Sequence, residues 1–473
     1  MKIELPFVGG AYTARSPNLN AQVCQNFYLE TDQTGAKSII ALVGTPGTTL
    51  WKDMGVAAEM RALRVFNDFL YAVLGNTLYR IDGTGGVTTI GTILTSTGWL
   101  DITSDETYLC LFEETAGWTW DGATFARITD AQFPLPSGAT YQDGYHIVSR
   151  TGTNEFGISG FDGALNPDPT SWSATAFANA EGAPDILVSP VSVQRALWLI
   201  GTETTEIWYN SGATFPFDRN PGGFVQVGCA AKRSIATYQG ELMFLSDKNQ
   251  VVRAQGFNLV PVSTYQIDYL ISTMTTIVNA AGFIYTQEGH VFYELTFPTD
   301  SKTICYDLTT GFWHTRASGA SDIRSPANCT AWFNNTVLVG HYDNGKIYEY
   351  DLAAYDDEGT VKRAIRAAQP LKSGNERTFF GVLELDMETG VGTVATPDPQ
   401  IALQTSKDGG HTWSAERWKS MGAIGEYKTR VRWNRLGAGR NFVPRIIISD
   451  PVKRCIFNAY LSGINGGGQN DQS

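Results

Sequence analysis

The stretch of this chain best furnished for local chemistry is Ser406-Lys407-Asp408-Gly409-Gly410-His411-Thr412-Trp413. A carboxylate and a hydroxyl two residues apart can accept backbone N–H bonds. The paired glycines supply the positive φ of a tight reversal, and a tryptophan can pack beneath the turn. Ser406, Asp408, Gly410, Thr412 and Trp413 are therefore expected to form one hairpin staple, with the strands on either side holding it in place.

Carboxylate chemistry is the next possibility. Glycoside hydrolysis needs two acids facing one another across a cleft. The acids here come as chain neighbours, Asp105-Glu106, Glu113-Glu114 and Asp356-Asp357-Glu358. Neighbours on strands or loops point apart, so all three groups are read as solvated surface. The sequence has no GxSxG elbow, no GxxxxGK[ST] loop and no GxGxxG opening a helix. Cys24, Cys110, Cys229, Cys305, Cys329 and Cys455 are scattered without a CxxC pair and are read as reduced packing residues. The five histidines form neither HxH nor HExxH. No catalytic residue, metal site or cofactor is predicted.

Charge is unevenly spread. Of a net −12, residues 360–473 carry 16 Lys plus Arg against 10 Asp plus Glu, or +6, leaving −18 on residues 1–359. Within the basic part, Lys428, Arg430 and Arg432 alternate beside Trp433 and would share one face of a strand. Such a face suits nucleic acid or a ring of intersubunit contacts, and the acidic repeat region favours the second. Trp118 with Trp120, and Phe215 with Phe217, are expected on exposed apolar loops, a pattern that marks contacts and here suggests a closed head-to-tail ring. No apolar run approaches about 18 residues, so no membrane span is expected. The N-terminus lacks a secretory pattern, which points to synthesis in a cytoplasm.

The elements that carry these residues are repetitive. Seven modules start at Arg61, Leu100, Ala139, Ser192, Ile235, Ala280 and Cys329, with spacings of 39, 39, 53, 43, 45 and 49 residues. Each is an apolar strand, a tight turn and an aromatic-bearing strand, the size of one four-stranded propeller blade. The fold expected is all-β: a six- or seven-bladed β-propeller-like repeat region with an additional C-terminal antiparallel β-sandwich. Residues 1–55 form an N-terminal segment that completes a blade or adds an adjoining layer. Residues 56–355 form the propeller, 356–377 a linker with a short helix near 361–368, 378–465 the sandwich, and 466–473 a flexible tail.

Three stretches taken in order resemble one family. They are NLNAQVCQNFYLE from Asn18 with the GTPG turn at Gly44, TEIWYNSGATFPFDRNPGGFVQVGCAAKRSIATYQGELMFLS from Thr205, and the closing SKDGGHTW, YKTRVRWNRLG and IISDPV. Together they resemble the packaged-DNA stabilisation proteins, the tail hub or nozzle family of short-tailed double-stranded DNA phages. The resemblance implies a virion tail component without enzymatic activity. It further implies a homo-hexameric ring below the portal and adaptor ring that closes the head and retains packaged DNA. Tail fibres, spikes or a needle would attach to that ring, and DNA would pass through its channel without specific binding. The competing reading rests on the hairpin staple, which is similar to the Asp box of sialidases: a propeller-based glycan-binding or sialidase-like protein. Sialidases usually repeat that box, and this chain has one good copy.

Overall fold

In the computed structural model, which describes residues 2–31, 40–372 and 377–465, seven four-stranded antiparallel units stand around a central axis. Blade 1 starts with Met60–Phe66, blade 2 with Asp101–Ser104, blade 3 with Pro136–Gln142 and blade 4 with Leu187–Val193. Blades 5, 6 and 7 start with Ala236–Tyr238, Ala281–Gln287 and Ala327–Phe333. The expected 466–473 tail lies outside the described residues.

The hairpin chemistry follows from the turn residues. In blades 1, 4 and 7 the first two strands are joined by Asn67-Asp68, Gln194-Arg195 and Asn334-Asn335, all with φ between 46 and 64°. Blades 3, 5 and 6 use Asp143-Gly144, Gln239-Gly240 and Glu288-Gly289. Two consecutive left-handed residues make the type I′ turn whose twist matches that of paired strands.

Second strands such as Phe69–Leu74, Leu109–Glu113 and Ala196–Gly201 are buried nearly throughout, because each blade is covered on both faces by its neighbours. Seven apolar clusters fill the seven gaps between blades. Val191, Trp198 and Ile207 of blade 4 meet Leu242, Phe244 and Val252 of blade 5. Phe333, Leu338 and Ile347 of blade 7 meet Met60, Leu70 and Leu74 of blade 1, which closes the ring.

The N-terminal segment divides between the two halves of the molecule. Gly47–Asp53 is the outermost strand of blade 7, paired with Lys346–Asp351. The first and last parts of the repeat region are thus hydrogen-bonded to each other. Gly47 sits so close to the 354–356 backbone that an added Cβ would lie 2.2 Å from the Asp356 carbonyl oxygen, so no side chain fits there. Earlier N-terminal strands, Lys2–Leu5, Phe27–Thr31 and Ile40–Gly44, join one sandwich sheet with Thr378–Met387, Val431–Gly439 and Cys455–Asn465.

The second sandwich sheet is a continuation of blade 6. Beyond its outer strand Phe312–Arg316 come Ala21–Gln25, Ala364–Ala367, Asn441–Ile448, Gln400–Ser406 and Arg417–Ser420 in one hydrogen-bonded series. Between the two sheets lies a core that includes Phe7, Phe27, Leu383, Trp433, Phe442 and Ile456. Where a helix was expected around 361–368, the chain forms the buried strand Ala364–Ala367, paired with Ala21–Gln25 on one side and Asn441–Ile448 on the other. Two ready partners outweigh the helix propensity of a short Ala- and Arg-rich stretch. The α-helix of the described residues is Tyr265–Ser272, in the connection from blade 5 to blade 6.

Candidate interaction surfaces and the central channel

The hairpin staple forms as its residue types require. Gln400–Ser406 delivers Ser406, whose Oγ accepts the Gly410 N–H at 2.8 Å and donates to Asp408 Oδ1 at 2.6 Å. Asp408 accepts the Thr412 N–H at 2.9 Å and the Thr412 hydroxyl at 2.5 Å. These donors, the Ser406 and Thr412 side chains first, hold the Asp408 carboxyl far below its ordinary range. Trp413 is covered by the guanidinium of Arg445, centred 3.8 Å from its ring, a stack that cation–π attraction favours. Ser406, Asp408, Gly410 and Thr412 are all engaged in holding the turn.

The basic run is arranged differently from the alternating strand expected. Lys428 lies in the turn before Val431–Gly439, exposed. Arg430 and Arg432 both reach Glu384 on the adjacent strand, at 2.5 and 3.7 Å. That carboxylate offsets part of the positive field the sequence suggested.

Both aromatic pairs expected on exposed loops require correction. Trp120 and Phe217 are core residues, 6% and 1% exposed. Trp120 sits on the strand Ala116–Trp120, packs into the cluster between blades 1 and 2 and donates from Nε1 to the Tyr71 hydroxyl at 3.0 Å. Trp118 is half-buried, stacked on Phe125 at 5.3 Å between centroids and bonded to Glu113. Phe215 and Phe217 fill the gap between blades 3 and 4. The cause is the close packing of neighbouring blades, which covers both faces of a strand where a two-layer fold covers one.

The acids read as surface also need revision. Glu113 is fully buried and Asp357 nearly so. Glu113 accepts the backbone N–H of Leu94 and Thr95 and the Trp118 Nε1–H. Burial opposes its ionisation, yet these donors together with the Thr95 hydroxyl outweigh it and lower its pKa. It thereby fastens the connection between blades 1 and 2. Asp105 bonds His146 Nε2 at 2.9 Å, and His146 Nδ1 bonds the Thr103 hydroxyl at 2.9 Å. The order hydroxyl, imidazole, carboxylate is that of a nucleophilic triad, but Thr103 and His146 are buried between blades 2 and 3, so the chain serves as a staple. Sequence reasoning missed it because its members belong to different modules. The available signal was a histidine opening one module's second strand and an aspartate in the preceding module's turn.

The inner strands enclose a channel of about 500 Å³, walled by Ser104, Thr140, Ser192, Thr237 and Thr330 among others. At one end Arg61 donates to the carbonyls of Gly75, Thr95 and Trp99. Lys232 lies over the Trp99 ring and 3.0 Å from Asp101, and Arg233 pairs with Glu59 at 2.7 Å. Burial pushes the Lys232 ammonium down to about 8 against the pull of Asp101. The cations at this end are thus tied to carbonyls and carboxylates of neighbouring blades. Among the described residues no group of three or more His, Cys, Asp or Glu could hold a metal ion. No helix of the described residues is long and apolar enough to cross a membrane.

A closed propeller running through one blade into a sandwich defines a two-part β-propeller protein. Two family profiles match almost end to end: "Bacteriophage P22 Gp10, beta-propeller" over residues 3–355 and "Bacteriophage P22 Gp10, beta-sandwich" over residues 364–462. The chain belongs to this family of phage structural tail proteins, the tail hubs that stabilise packaged DNA.

Solved structures of similar shape include BamB from Moraxella catarrhalis, at 9% identity and TM-score 0.40, covering 74% of this chain and 96% of that one. The extracellular domain of BT4673 from B. thetaiotaomicron is 9% identical with TM-score 0.43, covering 92% and 62%. The Neurospora crassa Pan2 WD40 domain is 8% identical with TM-score 0.40, covering 65% and 95%. No curated protein sequence matches the chain.

Proposed function

We propose that this chain is the subunit of a tail hub: a six-fold ring below the portal and its adaptor that closes the head, retains packaged DNA and attaches fibres, spikes or a needle. The observation that carries the reading is the ordered match of both halves to the P22 Gp10 family. A rigid set of blades offers broad faces for protein contacts without requiring a reactive centre. The excess of acid in residues 1–359 favours a body that lets a polyanion slide without gripping it. The basic C-terminal region, with Lys428 exposed, would face the preceding ring. As a structural protein without enzymatic activity, the chain would be made in the host cytoplasm and end in the virion tail.

The test is genetic. Particles made without this protein are expected to package DNA, lose it on standing and lack distal tail parts. Stably filled particles without the protein would overturn the reading. So would images of complete particles in which the protein stands off the tail axis or in other than six copies.

A further inference from the structure

Blade 3 joins Glu155–Phe161 to Pro167–Asn179 by a tight turn that places a leucine, an unusual residue type, at its left-handed position. Leu165 is 81% exposed and has φ +65°, and it is the one apolar side chain among the described non-glycine residues with positive φ. The others, mostly Asn, Asp, Gln and Glu, are the polar types that usually occupy turns, whereas a bulky apolar residue in the left-handed region is strained. The loop is nonetheless fixed. Asp162 accepts the N–H groups of Ala164 and Asn166 at 2.8 Å each, and its carbonyl accepts the Leu165 N–H at 3.0 Å. Asp162 and Asp168 flank the leucine, so a rigid apolar knob stands between two carboxylates.

Three blades round the ring, and so on nearly the opposite side, is an apolar pocket of about 310 Å³. The helix Tyr265–Ser272, the N-terminal strand beside blade 6 and the edge of that blade form it, with Val23, Ile267, Leu270 and Ile304 in its lining. Tyr269 of the helix lines it and is partly exposed. Lys302 lines it, and Arg15 lies over the Tyr269 ring at 5.4 Å. Neither cation pairs with a carboxylate among the described residues.

We propose that the Leu165 knob of one copy seats in this pocket of the next copy, with Asp162 and Asp168 meeting Arg15 and Lys302. The complementarity favours a second copy of the chain: an apolar tip between acids matches an apolar hollow edged by Arg15 and Lys302, whose lining acid, Asp322, is already paired with Arg363 at 2.9 Å. Knob and pocket lie on different surfaces, so the contact is heterologous, the kind that forms a ring where its rotation closes. The inference rests on the ring reading above and names its contact.

Leu165→Asp leaves the fold intact, since the side chain packs on nothing, and is expected to weaken self-association of the full chain at least about tenfold in sedimentation. Leu165→Cys combined with Thr273→Cys, at the pocket wall, is expected to cross-link neighbouring copies on mild oxidation. It is scored in assembled particles as well as in solution, so a chain that assembles only on the particle still answers. Lys302→Glu should weaken the contact, and Asp168→Lys in the same chain should restore it. Rings that form normally with Leu165→Asp and show no cross-link would overturn this contact and leave the ring standing. A Leu165 cross-link to a different tail protein would also overturn it. A chain that forms no ring even in the particle would sink the ring reading itself.

Discussion

Gln25 and Thr315 face each other in parallel register, at the point where the outer strand of blade 6 passes its edge to the sandwich. From there the sheet continues through Ala364–Ala367 without an intervening loop layer. Propeller and sandwich are joined by backbone hydrogen bonds as well as by packing, and a buried arginine completes the joint. Arg366 donates to the carbonyls of Phe7 at 2.6 Å and Gly10 at 2.9 Å, and to Gln22 Oε1 at 2.7 Å.

Arg366→Met is therefore expected to cost about 3 kcal/mol, because it leaves several buried acceptors without donors. Urea unfolding followed by fluorescence checks this, and the wild-type chain should unfold in one transition across both halves. Trypsin should leave residues 362–366 uncut, since Lys362 and Arg366 are buried and Arg363 is paired with Asp322 at 2.9 Å beside the buried strand. Early cleavage there, or a variant as stable as wild type, would show that this joint opens freely.

Acid should weaken the outer edge of blade 6 through His314 on Phe312–Arg316. Its burial, and then the charges of Arg316, Lys362 and His290, hold its pKa well below the ordinary value. The unfolded chain takes up a proton near pH 6.5 that the folded chain refuses. The stability tied to neutral His314 is thus fully present above about pH 6.5 and is lost as pH falls toward the folded pKa, by about 1.4 kcal/mol per unit for one group. Unfolding free energies of wild type and His314→Gln at pH 7.5, 6 and 5 check this. The difference between them should shrink or reverse toward pH 5, and parallel curves would refute the assignment.

Asp408→Ala should affect folding alone. Losing the bonds to Thr412 and Ser406 removes a turn staple, with a cost of about 1–2 kcal/mol, similar to that of a lost helix cap. Thermal unfolding measures it. Glycan turnover by the pure protein that this or another carboxylate substitution abolished would instead favour the sialidase-like reading.

The modules were legible because each contains a buried hairpin, and in six of the seven its turn residues declare positive φ, as Asn67-Asp68 and Asn334-Asn335 do. Outer strands such as Phe125–Arg127 were not legible, being as short as three residues and largely exposed. The strand Gly47–Asp53 gave no local sign that it closes blade 7, since its partner Lys346–Asp351 lies nearly 300 residues away. The hairpin staple was readable residue by residue, for all its bonds lie within a few positions. The burial of Trp120 and Phe217 depends on which blade stands alongside, and the His146–Asp105 pair joins residues 41 apart. Local pattern carries neither.

Binding to DNA offers the sharpest solution test of the hub reading. A protein that neutralises several phosphates shows affinity falling steeply with salt, because each contact releases counterions. Here Arg430 and Arg432 already share Glu384, and Lys232, Arg233 and Arg61 are held by carboxylates and carbonyls at the channel end. These five cations are not free to collect phosphates in a row, and the 1–359 body carries −18. The purified chain should bind duplex DNA weakly near physiological salt, with a shallow dependence of log K on log salt. Glu384→Gln should steepen that slope modestly by releasing Arg430 and Arg432. Fluorescence anisotropy over a salt series measures both. Tight binding with a steep slope in the wild-type chain would mean that the protein retains the genome by gripping it, and mechanical closure by a ring would then be the wrong account.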